Sequence, residues 1–129
     1  KHCKNILEVD DETLAHLIVV TKKLANKIVS IIPTEWDEFH YLGEVEENKK
    51  SYFSVFYYKD SRTNEYVKSH RIPELYHIDF SYSQELTGIC SILLEIYDCF
   101  LQHGQKAWDQ MKLSVTSSGA FHVDFVYGQ

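Results

Sequence analysis

The hydrophobic pattern of the chain changes its period at one proline, Pro33. Before it, apolar residues recur every three or four positions from about Asp11 to Ile32, which predicts an amphipathic helix. Pro33 disfavours helical geometry at the residue before it, so the helix ends there. After it, residues 38–47 alternate between apolar and polar side chains, which predicts a strand. A helix that leads directly into a strand restricts the fold to those that mix both elements.

The rest of the chain continues this mixture. We predict further strands at residues 51–60, 66–72, 110–117 and 120–127, a second helix at about Ser83–Gln102 and irregular structure at 73–83. The order α-β-β-β-α-β-β predicts an α+β fold, in which an antiparallel sheet of about five strands carries two main helices on one face. A length of 129 residues suits a single domain, residues 1–129, and we expect residues 1–10 to be loosely ordered.

The segment SYFSVFYYKD, residues 51–60, is apolar on both faces of its predicted strand. One face would carry Phe53, Val55 and Tyr57, and the other would carry Tyr52, Phe56 and Tyr58. A strand with two apolar faces is either covered on both sides or offers one side to a partner. Because the helices are predicted to cover one face of the sheet, we expect the other face to be free and aromatic.

Composition bears on the kind of partner. The formal net charge is −6 and the pI is near 5.6, which disfavours nucleic acid as a ligand, because phosphate binding needs clustered Lys and Arg. An acidic chain is better suited to a basic protein. The alternative is a stacking platform for single-stranded nucleic acid, formed by Tyr52, Tyr57, Tyr58 and Tyr66, and the scarcity of interleaved basic residues disfavours it.

The location of the protein is indicated by its cysteines and its hydropathy. Cys3, Cys90 and Cys99 follow neither a disulfide nor a zinc spacing, so we expect free thiols in the reducing cytoplasm. The sequence has no apolar run of about 18 residues, so we expect no membrane association.

The search for catalytic chemistry yields one weak pattern. His122 and Asp124 share a strand face, and His40 would join them if the strands lie close together. A metal-binding domain or small enzyme built on these residues therefore stays an alternative. Strand faces often carry such pairs without function, and no phosphate loop or nucleophile motif is present, so we predict no catalytic residue, cofactor or metal.

Several ordered segments together resemble a known family. They are Ile32-Pro33 with Glu35-Trp36, the Phe/Tyr run at 52–58, Ile72-Pro73, Gly104 with Trp108, and the closing SGxFxVDFxY of residues 118–127. In their order and spacing, over roughly residues 15 to 128, they are similar to the YezG-type immunity proteins of polymorphic toxin and contact-dependent inhibition systems.

This resemblance implies an antitoxin of bacterial cytoplasm that is not an enzyme. It would bind and neutralise the C-terminal domain of a cognate toxin, most often a nuclease, by occluding its active site or substrate groove. Combined with the acidic turns, it leads us to predict that the toxin contacts are Glu44, Glu46, Glu47, Tyr57, Tyr58 and Asp60. A homodimeric interaction module, with the aromatic face buried against a second copy, stays a further alternative.

Overall fold

The computed structural model describes residues 2–5, 11–46, 49, 51–76 and 82–127, and for residues 2–5 and 82 it describes the backbone alone. Its elements are β1 (His2–Asn5), α1 (Asp11–Ile31), β2 (Trp36–Val45), β3 (Tyr52–Asp60), β4 (Tyr66–Lys68), α2 (Ile72–Tyr76), α3 (Tyr82–Gln102), β5 (Gln110–Thr116) and β6 (Phe121–Tyr127). A short 3-10 turn at Ser69–Arg71 joins β4 to α2.

The strands form one antiparallel sheet in the order β1-β6-β5-β2-β3-β4. This confirms the predicted α+β class, with β2 at the centre of the sheet. The sheet also contains β1, which the sequence analysis does not predict, because residues 2–5 are mostly polar and show no alternation. Its backbone pairs with β6, with Cys3 opposite Val126.

The third predicted strand, residues 66–72, is wrong in its extent. β4 ends at Lys68, and the chain turns through Ser69–Arg71 into the short helix α2. Residues 73–76, predicted to be irregular, belong to α2. Pro73 lies at the second position of this helix, where its missing N–H costs no hydrogen bond.

Both long helices pack on one face of the sheet. Asp11 and Glu12 lie in the first turn of α1, where their charges complement the helix dipole. Its last backbone bond runs from the Ile32 N–H to the carbonyl of Ile28, directly before Pro33. The buried side of α1 consists of Leu17, Val20, Leu24 and Ile28, and that of α3 includes Ile89, Leu93, Ile96 and Phe100. Each side chain that is fully buried contributes about 1.5–3 kcal/mol.

The sheet face beneath the helices supplies the other half of the core. Its buried side chains alternate along the strands as the period of two requires: Phe39, Tyr41 and Val45 of β2, Phe56 and Tyr58 of β3, Met111 and Leu113 of β5, and Val123, Phe125 and Tyr127 of β6. Trp108, just before β5, is buried against Tyr97, Phe100 and Phe125. No helix in the described ranges is long and apolar enough to cross a membrane.

One position in β2 lets α3 approach the sheet closely. A Cβ atom at Gly43 would lie 2.5 Å from Cδ1 of Leu93 in α3 and 2.6 Å from the hydroxyl of Tyr41. Both neighbours are buried, and the Tyr41 hydroxyl is already hydrogen-bonded to Ser54 at 2.6 Å. The missing side chain of Gly43 is therefore what allows the helix layer to contact the centre of the sheet.

Candidate protein-binding surface

The sheet face that the two long helices leave uncovered is the candidate site, and we call it the open face. Strand register assigns its side chains: Glu38, His40, Leu42 and Glu44 from β2, Phe53, Val55, Tyr57 and Lys59 from β3, Tyr66 and Lys68 from β4, Gln110, Lys112, Ser114 and Thr116 from β5, and His122, Asp124 and Val126 from β6. Among them, Phe53, Tyr57 and Tyr66 are 50%, 41% and 55% exposed.

Three rings form a cluster at one end of the open face. His40 stacks on Tyr57 with ring centroids 5.0 Å apart, and Tyr57 meets the edge of Tyr66 at 5.7 Å. Three different strands supply these rings, so the sheet itself fixes their relative positions. Exposed aromatic rings held in this way are typical of protein-binding surfaces, because they bury a large area on binding and lose little conformational entropy.

The His40 ring is held at both of its nitrogens. Nδ1 lies 2.9 Å from the Ser114 hydroxyl, and Nε2 lies 2.5 Å from a carboxylate oxygen of Glu38. The hydrogen bond from His40 holds the pKa of Glu38 below its usual range. The ring on which Tyr57 stacks therefore has a fixed orientation before any partner arrives.

An apolar stripe continues from this cluster along β3. Val55 lies between Tyr57 and Phe53 on the same side of the strand, and it pairs with Leu42 on β2. Leu42 and Val55 are half-buried although the long helices lie on the other side of the sheet. The open face thus has an apolar centre line.

Charges of both signs lie on the open face, and acidic residues lie at its two ends. Lys59, Lys68 and Lys112 balance Glu38, Glu44 and Asp124 on the face itself. At one end, the exposed Asp37 directly precedes Glu38 and the exposed Glu65 directly precedes Tyr66, and the exposed Glu46 follows the other end of β2. A neutral centre with an acidic rim suits a partner whose surface is basic around an apolar patch.

The predicted contact residues fall into three groups. Tyr57, Glu44 and Glu46 lie on the open face or at its end, and Glu44 accepts a hydrogen bond from the Gln110 amide at 3.1 Å. Glu47 lies outside the described residues. Tyr58 and Asp60 are on the opposite face of β3, where they are 0% and 2% exposed. A side chain without accessible surface cannot contact a docking partner, so Tyr58 and Asp60 are removed from the contact set.

Asp60 and Tyr58 instead belong to a buried network behind the β3–β4 turn. The Tyr58 hydroxyl donates to the Tyr76 hydroxyl at 2.9 Å, and Tyr76 donates to the Asp60 carboxylate at 2.7 Å. The Arg62 side chain adds an ion pair to the same carboxylate at 3.3 Å. Burial by itself would raise the pKa of Asp60, but the hydrogen bonds from Tyr76 and Arg62 outweigh it and lower that pKa. The network anchors α2 to β3, which is a structural role.

The structure bears on the alternative site of His40, His122 and Asp124. His122 and Asp124 are paired as predicted, with 2.8 Å between Nε2 and a carboxylate oxygen. His40 lies on β2, and β5 separates that strand from β6. On the side towards β6, the His40 ring nitrogen Nδ1 contacts the hydroxyl of Ser114 on β5. Across the described part of the chain, His40, His122 and Asp124 do not converge as a group of metal ligands.

The contact set predicted from the sequence omits four residues of the open face: Phe53, Tyr66, His40 and Glu38. The alternation within residues 51–60 already groups Phe53 with Tyr57, so that signal was available. Tyr66 approaches Tyr57 only through the register that pairs it with Lys59, and no local pattern encodes that register.

Comparison with known proteins identifies the family of the chain. A family model described as "Immunity protein YezG-like" matches residues 17–129. The chain therefore belongs to the YezG-like immunity protein family, as the sequence resemblance predicted.

A named relative is immunity protein YezG of Bacillus spizizenii. The two sequences are 24% identical over 107 residues, which is 82% of this chain and 65% of that protein. The chain thus spans about 65% of the length of this relative.

Proposed function

We propose that this protein binds and neutralises a cognate antibacterial toxin domain in the cytoplasm, and that it does so with the open face. The toxin in this proposal is a basic nuclease, whose active site or substrate groove the bound protein occludes. Family membership supports the immunity role. The observation that carries the proposed mode of binding is the aromatic cluster of His40, Tyr57 and Tyr66, which the helices of the described ranges leave exposed.

The physical basis of inhibition is two-part. Acidic side chains at the ends of the open face would accelerate the encounter with a basic toxin, because opposite fields steer association. The aromatic cluster and the stripe of Phe53, Val55 and Leu42 would then slow dissociation, because buried Tyr and Phe anchors dominate interface energies. No turnover is required of the protein in this mechanism, so it acts stoichiometrically and not as an enzyme.

Co-expression tests the proposal. The toxin domain encoded beside this gene is produced in a sensitive host with and without this protein. We expect growth to be restored and a 1:1 complex to survive size-exclusion chromatography. Toxicity that persists at equal expression of both chains, with no complex recovered, would contradict the proposal.

The same experiment distinguishes the alternatives. Light scattering of the free protein measures whether it is a monomer or a dimer. A stable dimer that protects no cell would favour the homodimeric module. Loss of protection in His122→Ala together with stoichiometric metal on the sheet would favour the histidine site instead.

Charge reversal at one end of the open face is expected to slow association. In the variant that combines Glu44→Lys and Glu46→Lys, the formal net charge rises by 4, from −6 to −2. We expect the association rate constant for the toxin domain to fall about tenfold at low ionic strength and much less at high ionic strength, because salt screens the attraction. Stopped-flow fluorescence measures this rate constant.

The matched control carries the same change in net charge on the helical side of the molecule. Glu12 and Glu95 lie on α1 and α3, and Glu12→Lys with Glu95→Lys also raises the charge by 4. Because Glu12 lies in the first turn of α1 and Glu95 pairs with Lys23 at 3.0 Å, circular dichroism first establishes that this variant is folded. We expect its association rate to fall clearly less than that of the Glu44/Glu46 variant. Equal slowing in both variants would mean that total charge matters and that the acidic end of the open face does not.

A further inference from the structure

A second group of chemically reactive side chains lies away from the open face, between the two long helices. His16 of α1 faces Cys99 of α3 and His103, which follows the last residue of that helix. The His103 N–H still bonds to the Cys99 carbonyl at 3.3 Å, so these two residues are one helical turn apart and share a side. The proposed toxin-binding role uses none of the three.

The distances within this group suit a small tetrahedral ion. His16 Nδ1 and His103 Nε2 are 3.2 Å apart, and the two rings meet edge to face with centroids 5.4 Å apart. Bonds of about 2.0–2.1 Å from zinc to nitrogen place two ligand nitrogens about 3.3–3.4 Å apart in a tetrahedron. All three ligand atoms, including the Cys99 sulfur, lie within 4.8 Å of one another.

The burial of these three side chains also suits a bound ion. Cys99 has no accessible surface, whereas His16 and His103 are partly exposed, so the group is closed towards the core and open towards solvent. Two imidazoles and one thiolate are a soft donor set that favours Zn²⁺ over Mg²⁺ or Ca²⁺. Gly104, at φ 71°, follows His103 directly and closes the end of the helix.

We propose that His16, Cys99 and His103 form a Zn²⁺ site that links α1 to α3, with water as the fourth ligand. Binding releases the thiol proton of Cys99 and replaces the hydrogen bond between the two imidazoles by two metal–nitrogen bonds. The site would stabilise the helix layer beneath the sheet. Without a metal, the same two rings are joined by a single hydrogen bond, in which the N–H of one donates to the lone pair of the other.

Metal titration of the full chain tests the site. After chelator treatment and dialysis, Zn²⁺ is added under isothermal titration calorimetry, and Co²⁺ is added as a spectroscopic probe. We expect one Zn²⁺ per chain, a melting temperature higher by roughly 5–10 °C at a hundredfold excess of Zn²⁺ over Kd, and a Co²⁺ spectrum with a thiolate charge-transfer band and tetrahedral d–d bands.

Variants locate the site. His16→Gln, His103→Gln and Cys99→Ser are each expected to weaken Zn²⁺ binding at least tenfold, and Cys99→Ser also to abolish the thiolate band. The controls are Cys90→Ser, which changes another buried thiol, and His70→Gln, which changes an exposed histidine. Both should bind like the unchanged protein. The two histidine variants keep the test valid if Cys99→Ser does not fold.

Three results would overturn the proposal. They are the absence of stoichiometric Zn²⁺ binding, binding that the controls weaken as much as the cluster variants do, and a Co²⁺ spectrum without a thiolate band. None of these results bears on toxin neutralisation, so the proposed function and this site are tested separately.

Discussion

Replacing Tyr57 with alanine is expected to raise the dissociation rate constant of the toxin complex roughly 30- to 150-fold, which corresponds to about 2–3 kcal/mol. Tyr57 belongs to the centre of the aromatic cluster, because its ring contacts both His40 and Tyr66. It is 41% exposed, so the substitution removes binding area but little core packing. Surface plasmon resonance with immobilised toxin domain measures the change, and circular dichroism checks that the fold is retained.

The chain offers a closely matched control on the same strand. Tyr52 is 51% exposed, but it pairs with the buried Val45 and so lies on the helix side of β3. We expect Tyr52→Ala to change the dissociation rate constant less than threefold. If Tyr52→Ala accelerates dissociation as much as Tyr57→Ala, the toxin does not distinguish the two sides of the strand and the open face is not its binding surface.

Gly43→Ala is expected to lower the free energy of unfolding by about 2–4 kcal/mol, or the melting temperature by roughly 8–15 °C. The new methyl group would lie 2.5 Å from Leu93 and 2.6 Å from the Tyr41 hydroxyl, so α3 must move away or the Tyr41–Ser54 hydrogen bond must break. Both outcomes reduce packing at the centre of the core. Urea unfolding followed by tryptophan fluorescence measures the change.

Gly88→Ala is the matched control, with an expected effect of opposite sign. Gly88 lies inside α3, and a Cβ there would meet only the flexible end of Lys27, at 3.0 Å. Alanine has a higher helix propensity than glycine, so we expect stability to rise by up to about 1 kcal/mol. A Gly43→Ala variant as stable as the unchanged protein would show that α3 does not approach β2 as closely as described.

The periodicity of apolar residues predicted the elements that have a long apolar stripe and a residue that marks their end. α1 and α3 begin and end within one or two residues of the predicted bounds, because their apolar stripes are long and Pro33 and Gly104 mark their ends. β4 and α2 were predicted poorly. Residues 66–72 read as a strand by composition, but only three of them pair with β3, and the chain then turns into a short helix. The strand ends where its pairing with β3 ends, and no proline or glycine among these residues marks that position.

The candidate site was predicted in outline and not in residue detail. Alternation separated Tyr57 from Tyr58, but it could not say which of them the helices cover, since both faces of residues 51–60 are apolar. Packing on the helical side of the sheet makes that choice, and Tyr58, which is hydrogen-bonded to Tyr76 of α2, is buried there. The sequence places Asp60 beside a turn, where an acidic side chain is expected to be exposed. In the structure, hydrogen bonds from Tyr76 and Arg62 hold its carboxylate in the protein interior. The His16–Cys99–His103 group spans 87 residues of sequence, so no spacing rule could identify it.

Site-specific photo-cross-linking tests the central claim, that the open face binds the toxin, most directly. A photoreactive phenylalanine analogue replaces Tyr57 in one protein and Val19 in another. Val19 is 67% exposed and lies on α1, on the helical side. Irradiation of each complex with the toxin domain should give a covalent adduct from position 57 and none from position 19. An adduct from position 19 with none from position 57 would contradict the account.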